Sequence, residues 1–309
     1  MTLRPPKTTP ATVIGGYLGA GKTTLVNHLL RNAHGRRIAV LVNEFGALPI
    51  DADLIQGADD RVLAIAGGCI CCAFGDDLVA TLTQVAGRED VDQILIETSG
   101  VALPGAIVRT LQLVPALAHE ATLVVVDAET VRAQASDKYL GDTILRQLAD
   151  ADLVIVNKID LAPRIARADL GAWLAEVAPR ARIIEADHAA VDPSVALGVY
   201  DDTRRFIADA PDAAHEAGRF ASLSLTLPDR LDVERLAARL ASGDLGLARA
   251  KGFARDEHDE WKAFQIVGRR FEITNNAPRD EHGGRLVCIA QGRPVDRSTI
   301  EKIIASCAR

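Results

Sequence analysis

The sequence predicts an α/β fold, a mostly parallel sheet covered by helices, followed by a smaller C-terminal α+β domain. Three observations carry this expectation. Short apolar runs alternate with helix-patterned segments from residue 11 to residue 185, the pattern of parallel strands joined by covering helices. A glycine-rich turn over 15–21 joins the first apolar run to the first helical segment. Around 209–218 the apolar period disappears, and closely spaced strand patterns between two helical ones follow. The expected organisation is a first domain over 1–208, a linker over 209–218 and a second domain over 219–309.

In the first domain, strands are expected at 11–15, 37–43, 61–66, 92–97, 121–127, 152–157 and 181–185, each a short apolar run rich in Val, Ile and Leu. Helical spacing marks 22–33, 76–86, 138–149 and 166–177. In the second domain, Phe220 to Leu227 alternates like a strand. Leu231 to Leu240 is helical, with Asp232 as N-cap and Val233, Leu236, Ala237 and Leu240 on one face. Strands follow near 246–253, 261–267, 270–274 and 285–290. A final helix is expected where Ser298 and Glu301 have capping-box spacing. Cys288, Cys307, Trp261 and Phe264 fall at core positions of these patterns, and His28 is expected to be structural.

Length and composition bound the function. The chain has 309 residues, about two domains' worth, and 48% apolar residues are ample for a core. The net charge of −7 is uneven. Residues 219–309 carry 16 Lys and Arg against 13 Asp and Glu, and the rest of the chain is acidic. Neither part is basic enough for nucleic acid. No apolar run approaches the ~18 residues of a membrane span, and the polar start Met1–Pro10 lacks the apolar region of a signal peptide. Three of the five cysteines fall within four residues, which is not a disulfide framework. The expectation is a soluble cytoplasmic protein with reduced thiols and neither nucleic-acid nor membrane partners.

The central feature is Gly15-Gly16-Tyr17-Leu18-Gly19-Ala20-Gly21-Lys22-Thr23-Thr24. It follows the strand pattern Ala11–Ile14 and opens a helix, the context in which G-x-x-x-x-G-K-[ST] means a phosphate loop. The first domain is therefore expected to be a P-loop NTPase. Glycines let backbone N–H groups turn around a diphosphate, and the helix N-terminus adds partial positive charge. Gly16, Gly19, Ala20, Gly21, Lys22, Thr23 and Thr24 are the expected phosphate contacts. Lys22 suits the β- and γ-phosphates, and the Thr23 hydroxyl suits Mg²⁺.

Asn157-Lys158-Ile159-Asp160 follows the strand pattern Leu153–Val156. An Asp at position 160 would accept from the N1–H and N2–H groups of guanine, which adenine lacks, so a site built on that pairing selects GTP and GDP. Asn157 would meet the purine N7 edge, and the Lys158 stem would cover the base. Glu97-Thr98-Ser99-Gly100 ends another strand. Glu97 would hold Mg²⁺, directly or through water, and the Gly100 N–H would sense a γ-phosphate. Asn43-Glu44-Phe45-Gly46 ends a third strand, with Asp51 shortly after. Glu44 and Asp51 are the acids available there to position water or bind metal. Lys22, Asp51 and Glu97 are the candidate catalytic residues.

Gly67-Gly68-Cys69-Ile70-Cys71-Cys72 lies 25 residues from Glu44 and 25 from Glu97. Disulfides between such close neighbours would be strained, whereas thiolates bind Zn²⁺, Cu(I) and Co²⁺. In an extended segment Cys69 and Cys71 face one way and Cys72 the other; a turn at the glycines converges all three. Two or three thiolates need a further ligand, for which Glu44 is the candidate. Redox sensing and inert packing are the competing readings of these thiols.

Taken in order, GGYLGAGKTT, NEFG, GGCICC, ETSG and NKID resemble the CobW-type family of P-loop GTPases, also described as metal-chaperone GTPases. Arg249–Phe253, Trp261-x-x-Phe264-Gln265 and Arg285–Val287 resemble that family's second domain. The resemblance implies GTP hydrolysis and Mg²⁺ at the nucleotide site. It also implies a transition metal, zinc or alternatively cobalt, on Glu44, Cys69, Cys71 and Cys72, handed to a client metalloprotein or metalloenzyme, with switch roles for Asp51 and Glu97. Unlike many members, the chain has no His-rich stretch, and Ala47-Leu48-Pro49 stands where members often have an acid and glycines. The alternative expectation is a GTP-dependent regulatory switch with redox-sensing cysteines. An ATP-dependent small-molecule kinase is disfavoured by Asn157–Asp160. With no arginine finger or water-orienting glutamine evident, slow intrinsic turnover is expected. The metal, the client, the oligomeric state and the residue that orients water are not fixed by the sequence.

Overall fold

The computed structural model describes residues 8–33, 35–42, 62–66, 76–198, 220–275, 283–291 and 294–309. It divides into two compact units, Met1–Leu197 and Gly198–Arg309. The stretch expected as a linker, 209–218, lies outside the described residues.

The first unit runs β1 (Thr9–Gly15), α1 (Lys22–Arg31), β2 (Ile38–Val42), β3 (Val62–Ala66), α2 (Asp76–Ala86), β4 (Gln93–Glu97), α3 (Pro104–Leu111), β5 (Leu117–Asp127), α4 (Val131–Ser136), α5 (Gly141–Ala149), β6 (Leu153–Asn157), α6 (Arg164–Val177), β7 (Arg182–Glu185) and α7 (Pro193–Leu197). Among the described residues the strands form one seven-stranded sheet in the order β3-β2-β4-β1-β5-β6-β7. Every pairing in it is parallel. Runs such as Ile38–Val42 and Leu153–Val156 are buried along their whole length, as strands covered on both faces must be. Ala11, Val13, Ala39, Leu41, Ile94 and Ile96 pack with Leu78, Leu82 and Ile107 of α2 and α3. Val124, Val126, Val154 and Val156 pack with Ile144, Leu148, Leu170 and Leu174 of α5 and α6.

Three short helices, α3, α4 and α7, are additions to the sequence expectation; at eight, six and five residues they carry too little periodicity to read. The helix expected from 138 starts instead at Gly141. Asp137 Oδ1 accepts from Tyr139 N at 2.8 Å and Leu140 N at 3.0 Å, so a turn precedes the helix. β5 begins four residues earlier than expected, because Leu117–His119 pair with Thr9–Ala11 of β1.

The sheet order places β1 centrally: β2, β3 and β4 lie on one side, with β4 inserted between β1 and β2, and β5, β6 and β7 follow outward on the other. Parallel register brings the carboxyl ends of the strands to one edge: Ile14 pairs with Glu97 and Asp127 with Asn157. Ligands of open parallel sheets bind at that edge, near the point where the strand order reverses.

The second unit runs β8 (Phe220–Leu227), α8 (Val233–Leu240), β9 (Leu247–Arg255), β10 (Trp261–Val267), β11 (Arg270–Thr274), β12 (Gly284–Gln291) and α9 (Arg297–Ala305). Its antiparallel sheet has the order β11-β10-β9-β12-β8. One sheet face (Leu223, Ala250, Phe264, Ile266, Leu286 and Cys288 among others) packs on Leu236, Leu240, Ile300 and Ile303 of the two helices and on Cys307 just after α9. Gly252 leaves room for Phe264: a methyl group there would stand 2.5 Å from the Phe264 ring. Burial pushes the Cys288 thiol up to about 12, so Cys288 and the buried Cys307 are core residues as expected. Phe264 is buried as expected, whereas Trp261 is half-buried, with the Arg255 guanidinium 5.1 Å from its ring centre.

Asp232 caps α8, its Oδ1 accepting from Arg235 N at 3.0 Å. The cap of α9 corrects the sequence reading. Asp296, not Ser298, is the N-cap, accepting from Thr299 N at 3.3 Å and from the Thr299 hydroxyl at 2.6 Å. Ser298 already lies inside the helix.

Replacing Asp232 by Ala is expected to cost about 1 kcal/mol, measured by urea unfolding at neutral pH. The Arg235 N–H, with the Arg309 guanidinium beside it, holds the Asp232 carboxyl below its ordinary range. A lowered folded value means that this stability is complete above the unfolded carboxyl value, about pH 4. It is lost as pH falls through the folded value, so the two proteins converge in acid.

Candidate functional site

At the carboxyl edge of the sheet, the chain leaves β1 through a glycine turn and enters α1. Gly16, Gly19 and Gly21 have φ of 131°, 73° and 107°, in the region that favours glycine. Two of them also stand where no side chain fits. A methyl group on Gly16 would lie 2.1 Å from Val125 O, and one on Gly21 would lie 2.3 Å from Asn157 Nδ2. Gly21 is the N-cap of α1 and offers no side-chain acceptor, leaving the first-turn N–H groups to a ligand.

Lys22 is 8% exposed and its ammonium donates to Tyr17 O at 3.3 Å, so it bends back over the loop. The Thr23 hydroxyl donates to Glu97 Oε1 at 2.9 Å. Glu97 is buried at the end of β4. A hydroxyl and a carboxylate in contact beside a phosphate loop form a hard-oxygen donor set, which fits Mg²⁺. Ala20 is buried and Thr24 exposed at the start of α1.

The Asn157-to-Asp160 turn closes the other end of the site. Asn157 is 3% exposed. Its Nδ2 donates to Ala20 O at 2.9 Å, and its Oδ1 accepts from Ala189 N at 2.7 Å. The side chain expected at the purine edge therefore also ties the phosphate loop to the loop after β7, with one amide hydrogen left over. Lys158 has φ 58° and donates to Asp127 Oδ2 at 2.6 Å. Asp160 is exposed and its carboxylate has no hydrogen-bond partner among the described residues. His188 and Ala189 have φ of 49° and 54°; two successive non-glycine residues there are strained backbone. The His28 ring, on α1, is 3.0 Å from Val191 O, a structural contact as expected.

Gly100 lies in the turn after β4, where a methyl group would stand 2.6 Å from the Leu18 side chain. The structure thus brings together Gly16, Gly19, Ala20, Gly21, Lys22, Thr23, Glu97, Gly100 and Asn157 around one loop. Glu44, Asp51, Cys69, Cys71 and Cys72 lie outside the described residues. Asp127, Gln147 and Ala189 were not singled out from the sequence. Asp127 had a signal, an acid ending the run Val124–Val126. Gln147 bonds distant backbone carbonyls and Ala189 offers its own N–H to the distant Asn157 side chain, contacts that leave no local spacing.

The family model for the CobW/HypB/UreG nucleotide-binding domain matches residues 10–185. That for the cobalamin synthesis protein cobW C-terminal domain matches residues 220–308. A Pseudomonas aeruginosa protein named zinc chaperone CobW is 35% identical over 85% of this chain and 81% of its own. A protein of the same name from a Sinorhizobium species is 35% identical over 91% of this chain and 92% of its own. Among solved structures, the Zn(II)-bound YjiA GTPase of E. coli aligns with 98% of this chain and 100% of its own, at 22% identity and a TM-score of 0.42.

Gly21→Ala is expected to destabilise the protein by about 2 kcal/mol or more, since it adds both a disfavoured φ and an overlap with Asn157. Gly19→Ala, where nothing lies within 4 Å, should cost only the backbone part, about 1 kcal/mol. Urea unfolding of the two variants side by side measures the difference.

Proposed function

This chain belongs to the CobW/HypB/UreG nucleotide-binding family, and on that premise we propose that it is a GTP-hydrolysing metallochaperone. It binds a transition metal, zinc first and cobalt second, at Cys69, Cys71 and Cys72 with Glu44. It passes that metal to a client metalloprotein under control of the nucleotide. The observation that carries the nucleotide half is the Asn157 amide, bonded at once to the phosphate loop and to the loop after β7. It joins the expected phosphate and base ends into one preformed slot, beside which Asp160 stands exposed. The metal half is supported by the cysteine motif itself and by relatives named as zinc chaperones.

In this reading the α1 N-terminus and the glycine turn bind the phosphates. Lys22 exchanges Tyr17 O for a phosphate oxygen, and the Gly100 N–H meets the γ-phosphate. Asp160 pairs with guanine while Lys158, held by Asp127, lines the base. Thr23 and Glu97 would hold Mg²⁺, which when bound neutralises charge on the β- and γ-phosphate oxygens. Asp51 is the candidate to position the attacking water. The triphosphate orders the Glu44 loop and completes the ligand set with the thiolates. Hydrolysis relaxes that loop and changes metal affinity. Thiols must lose protons to bind metal, so affinity falls as pH falls. Linkage requires metal to change nucleotide affinity by the same factor.

Asp160→Asn should weaken GDP binding at least about 100-fold, because the amide presents a donor to the guanine donors. Xanthosine diphosphate, with an acceptor at that edge, should bind the variant better than GDP does. Equal binding of ATP and GTP by the wild type would remove the guanine assignment.

The metal half is tested by Zn²⁺ and Co²⁺ titration of the reduced protein with GDP or a non-hydrolysable GTP analogue, for wild type and Cys71→Ser. Tight binding that depends on nucleotide and is lost in the variant is expected. Binding indifferent to both would overturn metal transfer and leave a GTP-dependent switch with redox-sensing cysteines.

A further inference from the structure

The turn after β4 is held from behind by α5. Gln147 is 1% exposed, and its amide nitrogen donates to Gly100 O at 3.1 Å and Ala102 O at 2.8 Å. Asp150, three residues along the same helix face, accepts from Gly105 N at 2.8 Å at the start of α3. Within the turn, Ser99 O accepts from Ala102 N at 3.1 Å.

These bonds fix both peptide planes that flank Gly100. Gln147 holds the carbonyl of the plane after it, and the turn holds the carbonyl of the plane before it. In a trans peptide the N–H points opposite to the C=O of its own plane. With Ser99 O directed to Ala102, the Gly100 N–H is directed away from the closed turn. The same residue lies against the phosphate loop, since a methyl group on it would stand 2.8 Å from Leu18 N. Burial of an amide among Ile144 and Leu148, both core residues of this helix, is costly unless the amide is fully used. Here both of its hydrogens go to this turn.

We propose that Gln147 is a positioning residue of the nucleotide site: it holds Gly100 so that its N–H meets the terminal phosphate of a nucleoside triphosphate, and thereby sets the preference for triphosphate over diphosphate. This rests on the reading of Gly100 as the γ-phosphate sensor. Gln147 touches no nucleotide itself; it acts through the peptide planes.

The test is titration of wild type and Gln147→Met with GDP and with a non-hydrolysable GTP analogue in Mg²⁺. Methionine keeps the length and volume and removes both donors. The affinity ratio of the GTP analogue to GDP should fall about tenfold, the worth of a hydrogen bond to a charged group. GDP affinity should stay within about twofold, because the diphosphate does not reach Gly100. A merely structural role would lower the melting temperature and leave the ratio alone. An unchanged ratio in a variant that binds GDP normally overturns this proposal and leaves the proposed function standing. A wild type that binds no guanine nucleotide overturns both. If Gln147→Met loses GDP binding, Gln147→Asn keeps the amide one methylene short, and an unchanged ratio there overturns the proposal equally.

Discussion

The hydrogen bonds of Asn157 are the constraint on which the rest of the site depends. One buried amide spans the gap between Ala20 in the phosphate loop and Ala189 after β7. Among the described residues neither backbone group has another hydrogen bond, and a buried carbonyl or N–H left unpaired costs about 1–3 kcal/mol. The bond explains the residues around it. Gly21 must lack a side chain because Asn157 occupies that space. Ala189 accepts a left-handed backbone because its N–H is needed at Asn157 Oδ1. The parallel register that pairs Asp127 with Asn157 then puts a carboxylate within reach of Lys158.

This arrangement divides the work between sheet and loops. The sheet supplies stiffness: its central strands are buried and packed on helices from α2 to α6. The loops at its carboxyl edge carry the chemistry, and each is pinned by side chains from elsewhere. Thr23 meets Glu97, Asn157 meets Ala20, and Gln147 meets Gly100. Within the first unit, six of the seven described residues with positive φ lie there as well: Gly16, Gly19, Gly21, Lys158, His188 and Ala189. At the non-glycine residues Lys158, His188 and Ala189 such a backbone is strained, and it persists only where surrounding bonds over-determine it.

Much of this was legible in the sequence because it is local. A five-residue apolar run buried on both faces announces a parallel strand, and the glycine loop between strand and helix announces phosphate binding. What was not legible is what acts over distance. Gln147 appears in sequence as one polar residue inside a helical pattern; its acceptors lie more than forty residues earlier. Asn157 reads as a base contact, and its second role at Ala20 depends on a loop 137 residues away. Helices α4 and α7 are too short for their period to show. At α9 two capping patterns overlap, and Asp296, one residue ahead of the first helical turn, accepts from Thr299 N and starts the helix before Ser298 can cap it.

The sealing of Cys288 and Cys307 in the second unit has a practical side. A thiol that burial holds protonated to about 12 is chemically silent in the native protein. Cys307 is shielded by burial at 1% exposure, so two of the five cysteines are screened from alkylating or chromogenic reagents in the native protein. Native thiol reactivity toward such reagents is therefore expected to report on Cys69, Cys71 and Cys72, with no need to engineer the other cysteines away.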